Sequence, residues 1–340
     1  DRDVVRLRSL VRFDVVLLAA APADGAAWLA TSASLAAQSL RPTRVQRLAP
    51  GSDDFASIQS ADATARQWLL ILPEGATLSP LALYWFAHEI AQHPDAGWIY
   101  CDHDALSPSG ERIDPVFKPD WSPELLRSTN YIGAAAAVRA DIWMAADVSC
   151  LGQTSLHDVW LRVSEHLRGD QIRHVCAPLI HLPANPDQRF VATDLQTVAR
   201  HLVRLGAAAA VEPDRWGHCR VRFRLPAPPG PLVSIIVPTR DRLDHLRPCV
   251  DSVLTQTTYR EFELLVVDNQ SSDPATLAYL EEISGNERVR VLRYDEAFNY
   301  SAINNFAVHA ARGEIICLLN NDTAVISADW LEEMLSRLLQ

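Results

Sequence analysis

The sequence lacks the short signatures that most readily declare a chemistry. It has no G-x-x-x-x-G-K-[ST] phosphate loop and no G-x-G-x-x-G turn, so a phosphate would have to be held without a glycine cradle. None of its six cysteines forms a C-x-x-C pair. Cys101, Cys150, Cys176, Cys219, Cys249 and Cys317 sit mostly in apolar runs, which favours buried reduced thiols over zinc or a disulfide framework. No apolar run approaches the roughly 18 residues of a bilayer span. Basic charge is also short: 31 Lys and Arg against 42 Asp and Glu, a formal net charge of −11. That balance excludes a general nucleic-acid binder, which needs a basic face, but leaves room for a small local anion site. Residue 1 is Asp, not Met, so a preceding signal or membrane segment stays an open matter.

What is present is the composition of a globular protein, 48% apolar and 21% charged over 340 residues, enough for two ordinary domains. The clearest boundary is LPAPPGPL at 225–232. Proline stiffens such a stretch and removes ladder donors, so it reads as a joint. Beyond it strands and helices alternate. VSIIVP (233–238), FELLVVD (262–268), RVRVLRY (288–294) and EIICLL (314–319) read as strands. Between them run apolar stripes of helical spacing. Asp241 to Gln256 carries Leu243, Leu246, Val250, Val253 and Leu254, and residues 300–312 place Ile303, Phe306, Ala307 and Ala310 inward. Pro274 opens a helix at its first turn, and a last helix starts at Ala328. Such alternation predicts a parallel, doubly wound sheet whose ligands bind beyond the carboxyl ends of the strands. Three polar segments leave those ends: PTRDR (238–242), DNQSSD (268–273) and NNDT (320–323).

Each segment has two readings. Asp322 and Asn320 offer a charged and a neutral oxygen to a hard cation, or they form a local turn. Asp268 accepts hydrogen bonds from a base or ribose, or shares in capping with Asn269, Ser271 and Ser272. Asp241 caps the helix that follows it, lines a site, or does both, while Arg240 and Arg242 double as solvated surface charges.

Before the joint the pattern repeats in blurred form. FDVVLLAAAP (13–22) matches the first strand, and ARQWLLILPEGATLSP (65–80) matches the stretch ending in NNDTAVIS. A period of this length means two related domains, not a solenoid. The first copy runs further than the second, so the expectation is one whole domain, 1–225, a linker, 226–231, and the front half of another, 232–340. Asp158, near a helix start in SLHDVWLRV, is either a dipole-favoured first-turn carboxylate or a general base.

PLVSIIVPTRDR, ELLVVDNQSSDP, FNYSAINNFAVHAARGEIICLLNNDT and FKPDWSPELL together resemble the family 2 glycosyltransferases of the GT-A fold, and among them the tandem bacterial type that builds surface polysaccharide. The resemblance implies two tandem GT-A-like, Rossmann-like α/β domains with mostly parallel sheets, the second truncated. It implies a nucleotide-sugar pocket from Pro238, Thr239, Arg240, Asp241, Asp268, Asn305 and Asn321. NND stands where the family has Asp-x-Asp, so Asp322 and Asn320 would hold Mg2+ or Mn2+ against a diphosphate. Asp158 would match the family's base, and His181 a histidine near the metal. Lys118, Asp120 and Trp121 keep its KPDW run, and Asp102 and Asp104 an acidic pair without assigned role. The donor half of the first copy departs from the pattern, with Ala49 in the place of Asp268 and Pro73-Glu74-Gly75 in the place of NND.

The activity implied is transfer of a sugar, most often from a UDP-sugar, to a growing surface glycan or lipid-linked glycan by metal-assisted inverting displacement. The implied partners include no nucleic acid. The implied location is cytoplasmic, including a peripheral position on the inner face of the cell membrane. The competing expectation is that the first domain is a non-catalytic glycan-binding or scaffolding module. A nucleotidyltransferase would need a basic, glycine-rich loop after the first strand, which VPTRDR lacks.

Overall fold

The computed structural model describes residues 2–19, 25–48, 66–107, 109–133, 136–148, 155–183 and 195–340. The chain divides into two compact units, Asp1–Val221 and Arg222–Gln340.

In the first unit, β1 (Arg12–Leu18) lies between β2 (Arg44–Leu48) and β3 (Gln67–Pro73) and runs parallel to both. Its apolar run buries Phe13 through Leu17, as expected of a strand covered on both faces. Beyond β3 the direction reverses. β7 (Ala136–Arg139) is antiparallel to β3 and to β5 (Trp98–Leu106), whose other neighbour β8 (Ile172–Pro183) is parallel to it. The two-residue β4 (Thr77–Leu78) closes antiparallel on β8, and β6 (Arg112–Val116) antiparallel on β5. The sheet is therefore mixed, where sequence alternation alone predicts a mostly parallel one. The inserted β7 is too short and too alanine-rich to show a period of two, and pairing on both edges makes it a strand.

Alternation then sorts the side chains of β5 to opposite faces. Ile99 and Cys101 join the cluster built with Leu7 of α1 (Arg2–Leu10), Leu35 of α2 (Gly25–Ala36), and Leu83, Phe86 and Ile90 of α3 (Ala82–Gln92). Trp98 takes the other side, its ring stacked 5.3 Å from Trp160 and edge-on to Trp121 at 5.6 Å. Trp160 belongs to the helix Leu156–Ser164, which follows α4 (Pro123–Ser128) and α5 (Ala140–Ala145) and is α6; α7 is Leu195–Arg204.

Next along the chain, β9 (Ala209–Pro213) pairs with β10 (Cys219–Phe223). The main sheet of the second unit is all parallel, in the order β13-β12-β11-β14, with β11 at Val233–Thr239, β12 at Phe262–Asp268, β13 at Val289–Arg293 and β14 at Ile315–Leu318. One face packs Val233, Ile235, Val237, Leu264 and Val266 against α8 (Leu243–Gln256), α9 (Pro274–Ser284) and α11 (Trp330–Leu338). The other packs Ile236, Leu265 and Val267 against Ile303 and Ala307 of α10 (Tyr300–Ala310). Pro274 stands at the first turn of α9, whose N-cap Asp273 accepts the Thr276 amide at 2.8 Å. Phe306, placed inward by helical spacing, is 40% exposed, because α10 meets the sheet through the narrower Ile303–Ala307 stripe. The Pro-rich joint packs within this unit: Leu225 lies against its core and the Tyr259 hydroxyl donates to the Pro231 carbonyl at 2.7 Å.

At the amino ends of these strands, Glu263 is buried and accepts from Ser234 (2.7 Å), the Arg312 amide (2.6 Å) and Arg290 (3.0 Å). Gly313 completes the knot by donating to the Ser234 hydroxyl at 2.9 Å. A Cβ on Gly313 would lie 2.6 Å from two backbone atoms, the Leu232 oxygen and the Ser234 nitrogen, whereas one on Gly285 meets nothing closer than 3.5 Å. Gly313→Ala is therefore expected to destabilise the chain by about 2 kcal/mol and Gly285→Ala by under about 0.5 kcal/mol, read from urea unfolding curves. Equal effects of the two substitutions would contradict this account of the knot.

Candidate functional site

The register of the parallel ladder fixes where the candidate residues of the second unit stand. Thr239 pairs with Asp268, so β11 and β12 end level, and the Asn269 amide donates to the Thr239 carbonyl at 2.8 Å. On the other edge of β11 the Leu319 amide donates to the Ile236 carbonyl at 2.9 Å. The Asn321 side chain then reaches the Thr239 hydroxyl at 3.1 Å. The segments beginning at Pro238, Asp268 and Asn320 thus meet on one rim, as the strand-end rule predicts.

Asp241 does not cap its own helix. The residue before α8 is Arg242, without a side-chain cap bond. Instead, Asp241 Oδ1 accepts the amides of Ser272 (2.7 Å) and Asp273 (2.8 Å), while its own amide donates to Ser271 Oγ at 2.7 Å. Those two amides hold its carboxyl below the usual range, the Asp273 amide contributing most. The cause of the changed partner is the backbone: Asp241 (φ 50°) and Arg242 (φ 54°) are both left-handed, which turns the carboxylate away from α8 and onto the neighbouring loop. Consecutive non-glycine residues in this region cost on the order of 1–3 kcal/mol each and persist only where the surroundings enforce them.

Asp268 is 3% exposed; its Oδ1 accepts the Ser271 amide at 2.9 Å and its Oδ2 faces Arg293 at 3.6 Å. Asn269, which the sequence reading passes over as a capping neighbour, is a buried clamp. Its amide nitrogen donates to the carbonyls of Tyr294 (3.1 Å) and Glu296 (2.8 Å), and its Oδ1 is buried without a hydrogen bond. From α10 the Tyr300 hydroxyl donates to Asn320 Oδ1 at 3.3 Å. Asn305 is exposed on that helix, whereas Asn304, one turn beyond Tyr300, is the buried amide, with an Oδ1 that accepts no hydrogen bond. Arg240 and Asp322 are exposed, and among the described residues Asp322 has no hydrogen-bond or ion-pair partner. The end of β14 therefore presents one free carboxylate and one amide oxygen. This donor set is too small to hold a hard cation alone, but it suits Mg2+ or Mn2+ shared with substrate phosphate.

The first unit has the same three-strand arrangement with different chemistry at its rim. Glu74, beyond β3, is buried and paired with Arg47 of β2 at 2.9 Å. Ala49, the counterpart of Asp268, lies outside the described residues. Asp158 is 2% exposed; Arg162 donates to its Oδ2 at 2.9 Å and Arg204 stands 3.6 Å from its Oδ1, while Ser155 caps α6. Its carboxylate is thus tied up with the two guanidiniums inside the fold. Both ring nitrogens of His181 are engaged, Nδ1 with Asp104 Oδ1 at 2.5 Å and Nε2 with Ser79 Oγ at 3.0 Å, leaving none for a metal.

The KPDW run is divided between interior and surface. The Lys118 ammonium is buried and donates to the Ile132 carbonyl at 2.5 Å, and Trp121 packs on Trp98. The carboxylate of Asp120 is 91% exposed. Cys101, Cys219, Cys249 and Cys317 are buried free thiols, as expected, but Cys176 is exposed; Cys150 lies outside the described residues.

Residues 234–340 match the family model described as Glycosyl transferase family 2. The match covers most of the second unit, and the family it describes is one of enzymes. The O-antigen biosynthesis protein RfbC of Myxococcus xanthus is 40% identical over 274 residues, covering 77% of this chain and 21% of that protein. The uncharacterized protein y4gI of Sinorhizobium fredii is 37% identical over 317 residues, covering 88% of this chain and 34% of its own length. Both matches are longer than the first unit (Asp1–Val221) and so extend over parts of both. The Escherichia coli UDP-Glc:alpha-D-GlcNAc-diphosphoundecaprenol beta-1,3-glucosyltransferase WfgD is 35% identical over 109 residues, 32% of this chain and 42% of that protein. The chain spans between 21% and 42% of the length of these relatives. No described helix is long and apolar enough to cross a membrane.

Burial lowers the Lys118 ammonium to about 8 from 10.5, with Cys101 and Asp102 opposing the shift. Between these values the unfolded chain binds the extra proton, so stability tied to this residue rises as pH climbs from about 8 to about 10. The unfolding free energy of the chain, minus that of Lys118→Met, is expected to grow by on the order of 3 kcal/mol over that range. A difference that stays flat in urea unfolding at stepped pH would rule out the shift.

Proposed function

We propose that the second unit binds the nucleotide diphosphate of a sugar donor, with a UDP-sugar the best candidate, and takes part in transferring that sugar to a surface glycan or lipid-linked acceptor. The observation that carries this reading is the rim itself. Asn321 bonds directly to Thr239, and Ser271 joins Asp241 to Asp268, while the Asp322 carboxylate beside them has no partner among the described residues. The printed names of RfbC and WfgD support polysaccharide building, a UDP-sugar donor and a diphospholipid-linked acceptor.

In this reading Pro238, Thr239, Arg240 and Asp241 flank the nucleotide. The second oxygen of Asp268, which faces Arg293 at 3.6 Å, accepts from the base. Asn320, Asn321 and Asp322 border the diphosphate, and the exposed Asn305 of α10 lies near the nucleotide. A divalent cation, Mg2+ or Mn2+, bound by Asp322 and Asn320 would offset charge on the departing diphosphate in an inverting displacement. Tyr300 positions Asn320 for that contact through its hydroxyl.

A second reading applies to the first unit, where the Arg47–Glu74 pair fills the position that Asp322 leaves free. We infer that this unit is a glycan-binding or scaffolding module, with Asp158 anchoring α6 and not acting as a base.

Calorimetric titration of the full chain with UDP should show binding that tightens when Mn2+ is added. Asp322→Ala, an exposed change, should remove the Mn2+-dependent gain, and Asp268→Ala should weaken UDP about tenfold or more, the scale of a lost charged hydrogen bond. Glu74→Ala should leave both unchanged. Absence of UDP binding, or a gain from Mn2+ that survives Asp322→Ala, would refute the donor-site reading.

A further inference from the structure

A second constellation, sharing no residue with the rim of the second unit, lies in the first. The Asp120 carboxylate, the His174 ring and the Cys176 thiol each offer a ligand atom, and these atoms all lie within 4.8 Å of one another. Asp120 comes from the loop between β6 and α4. His174 and Cys176 are alternate residues of β8 and so project to one side. The ladder is irregular there: Val175 pairs with Cys101, but the next paired residue, opposite Asp102, is Pro178. Cys176 and Ala177 are thus the extra residues of a bulge, a device that re-aims side chains.

The spacing fits a metal. Asp120 Oδ1 is 3.3 Å from His174 Nδ1, and Cys176 Sγ is 3.5 Å from the same nitrogen. A tetrahedral zinc ion with ordinary bond lengths separates its N and O ligands by about 3.3 Å and its N and S ligands by about 3.6 Å. The histidine is also braced as metal-bound histidines are. Its Nε2 faces the buried Asp102 carboxylate at 2.9 Å, and its ring stacks on Tyr100 with centroids 4.8 Å apart. Donation from Nε2–H to Asp102 leaves the Nδ1 lone pair directed at the other two ligand atoms.

We propose that Asp120, His174 and Cys176 form a zinc site, with Asp102 as the outer carboxylate that orients His174 and a fourth position open to water or a further ligand. The alternative for this trio is a thiol nucleophile activated by His174; the carboxylates Asp120, Asp102 and Glu89 around Cys176 favour a divalent cation there. Asp120 and Cys176 are exposed, so an ion reaches them from solution. Bound there, it would tie the Asp120 loop to β8.

The test uses the full chain, stripped with chelator and then titrated with Zn2+ alone, with Co2+ as a spectroscopic substitute. One zinc per chain should survive desalting, and the Co2+ form should show a thiolate-to-cobalt charge-transfer band. Cys176→Ser should abolish that band, and Cys176→Ser and Asp120→Asn should each weaken zinc binding at least tenfold. Asp102→Asn should weaken it roughly 10–100-fold, the range seen when an outer-shell partner is lost. Both ligand variants alter exposed side chains, and circular dichroism checks that they fold. Failure to retain zinc, retention undiminished in Cys176→Ser and Asp120→Asn, or loss of the ion only on Asp322→Ala would each overturn the proposal.

Discussion

The parallel ladder on both edges of β11 is the constraint from which the rest of the second unit follows. Because Thr239 pairs with Asp268, β11 and β12 end level; β14 stops at Leu318 opposite Ile236, and the chain beyond it carries Asn321 up to Thr239. Polar residues scattered over more than 80 positions of sequence therefore become neighbours, as the Asn321–Thr239 contact shows (|i−j| of 82). The same ladder carries the buried Glu263 knot at its opposite end, so the ends of the strands are fixed from below as well as at the rim.

The two units use one strand arrangement to different ends. In each, a central apolar strand has parallel neighbours on both sides. In the second, the segment after β14 holds a carboxylate, Asp322, without a partner among the described residues, and the loops beside it hold strained backbone at Asp241 and Arg242. In the first, the corresponding carboxylate is buried against an arginine. A charge already neutralised within the fold gains little from a ligand, whereas a free one at a strand end gains much. This difference is the basis of the donor site proposed for the second unit. In the first unit, unused ligand atoms gather instead at β8.

Some of the site is legible along the chain, because its segments follow apolar runs and end in Asn, Asp and Thr. Pro274 marks its helix start for the same local reason. What the pattern misplaces is decided by contacts remote in sequence. Asp241 looks like a cap for the helix it precedes, yet left-handed backbone hands it to Ser272 and Asp273. Phe306 fits the helical stripe, but α10 meets the sheet through Ile303 and Ala307 and leaves it 40% exposed. Cys176 stands in an apolar run like the other cysteines, and a bulge two residues long brings it to the surface.

The amino-acid sequence by itself determined the alternation of strands and helices in the second unit, its polar strand ends, and the absence of any glycine cradle for phosphate, since each depends on residues within a few positions of one another. Only the tertiary structure decided the mixed sheet of the first unit, the partners of Asp158, His181 and Glu74, and the meeting of Asp120 with His174 and Cys176. Those outcomes depend on which strands pair and where a ladder slips. Pairing is set by the burial of whole faces, so no local run of residues encodes it.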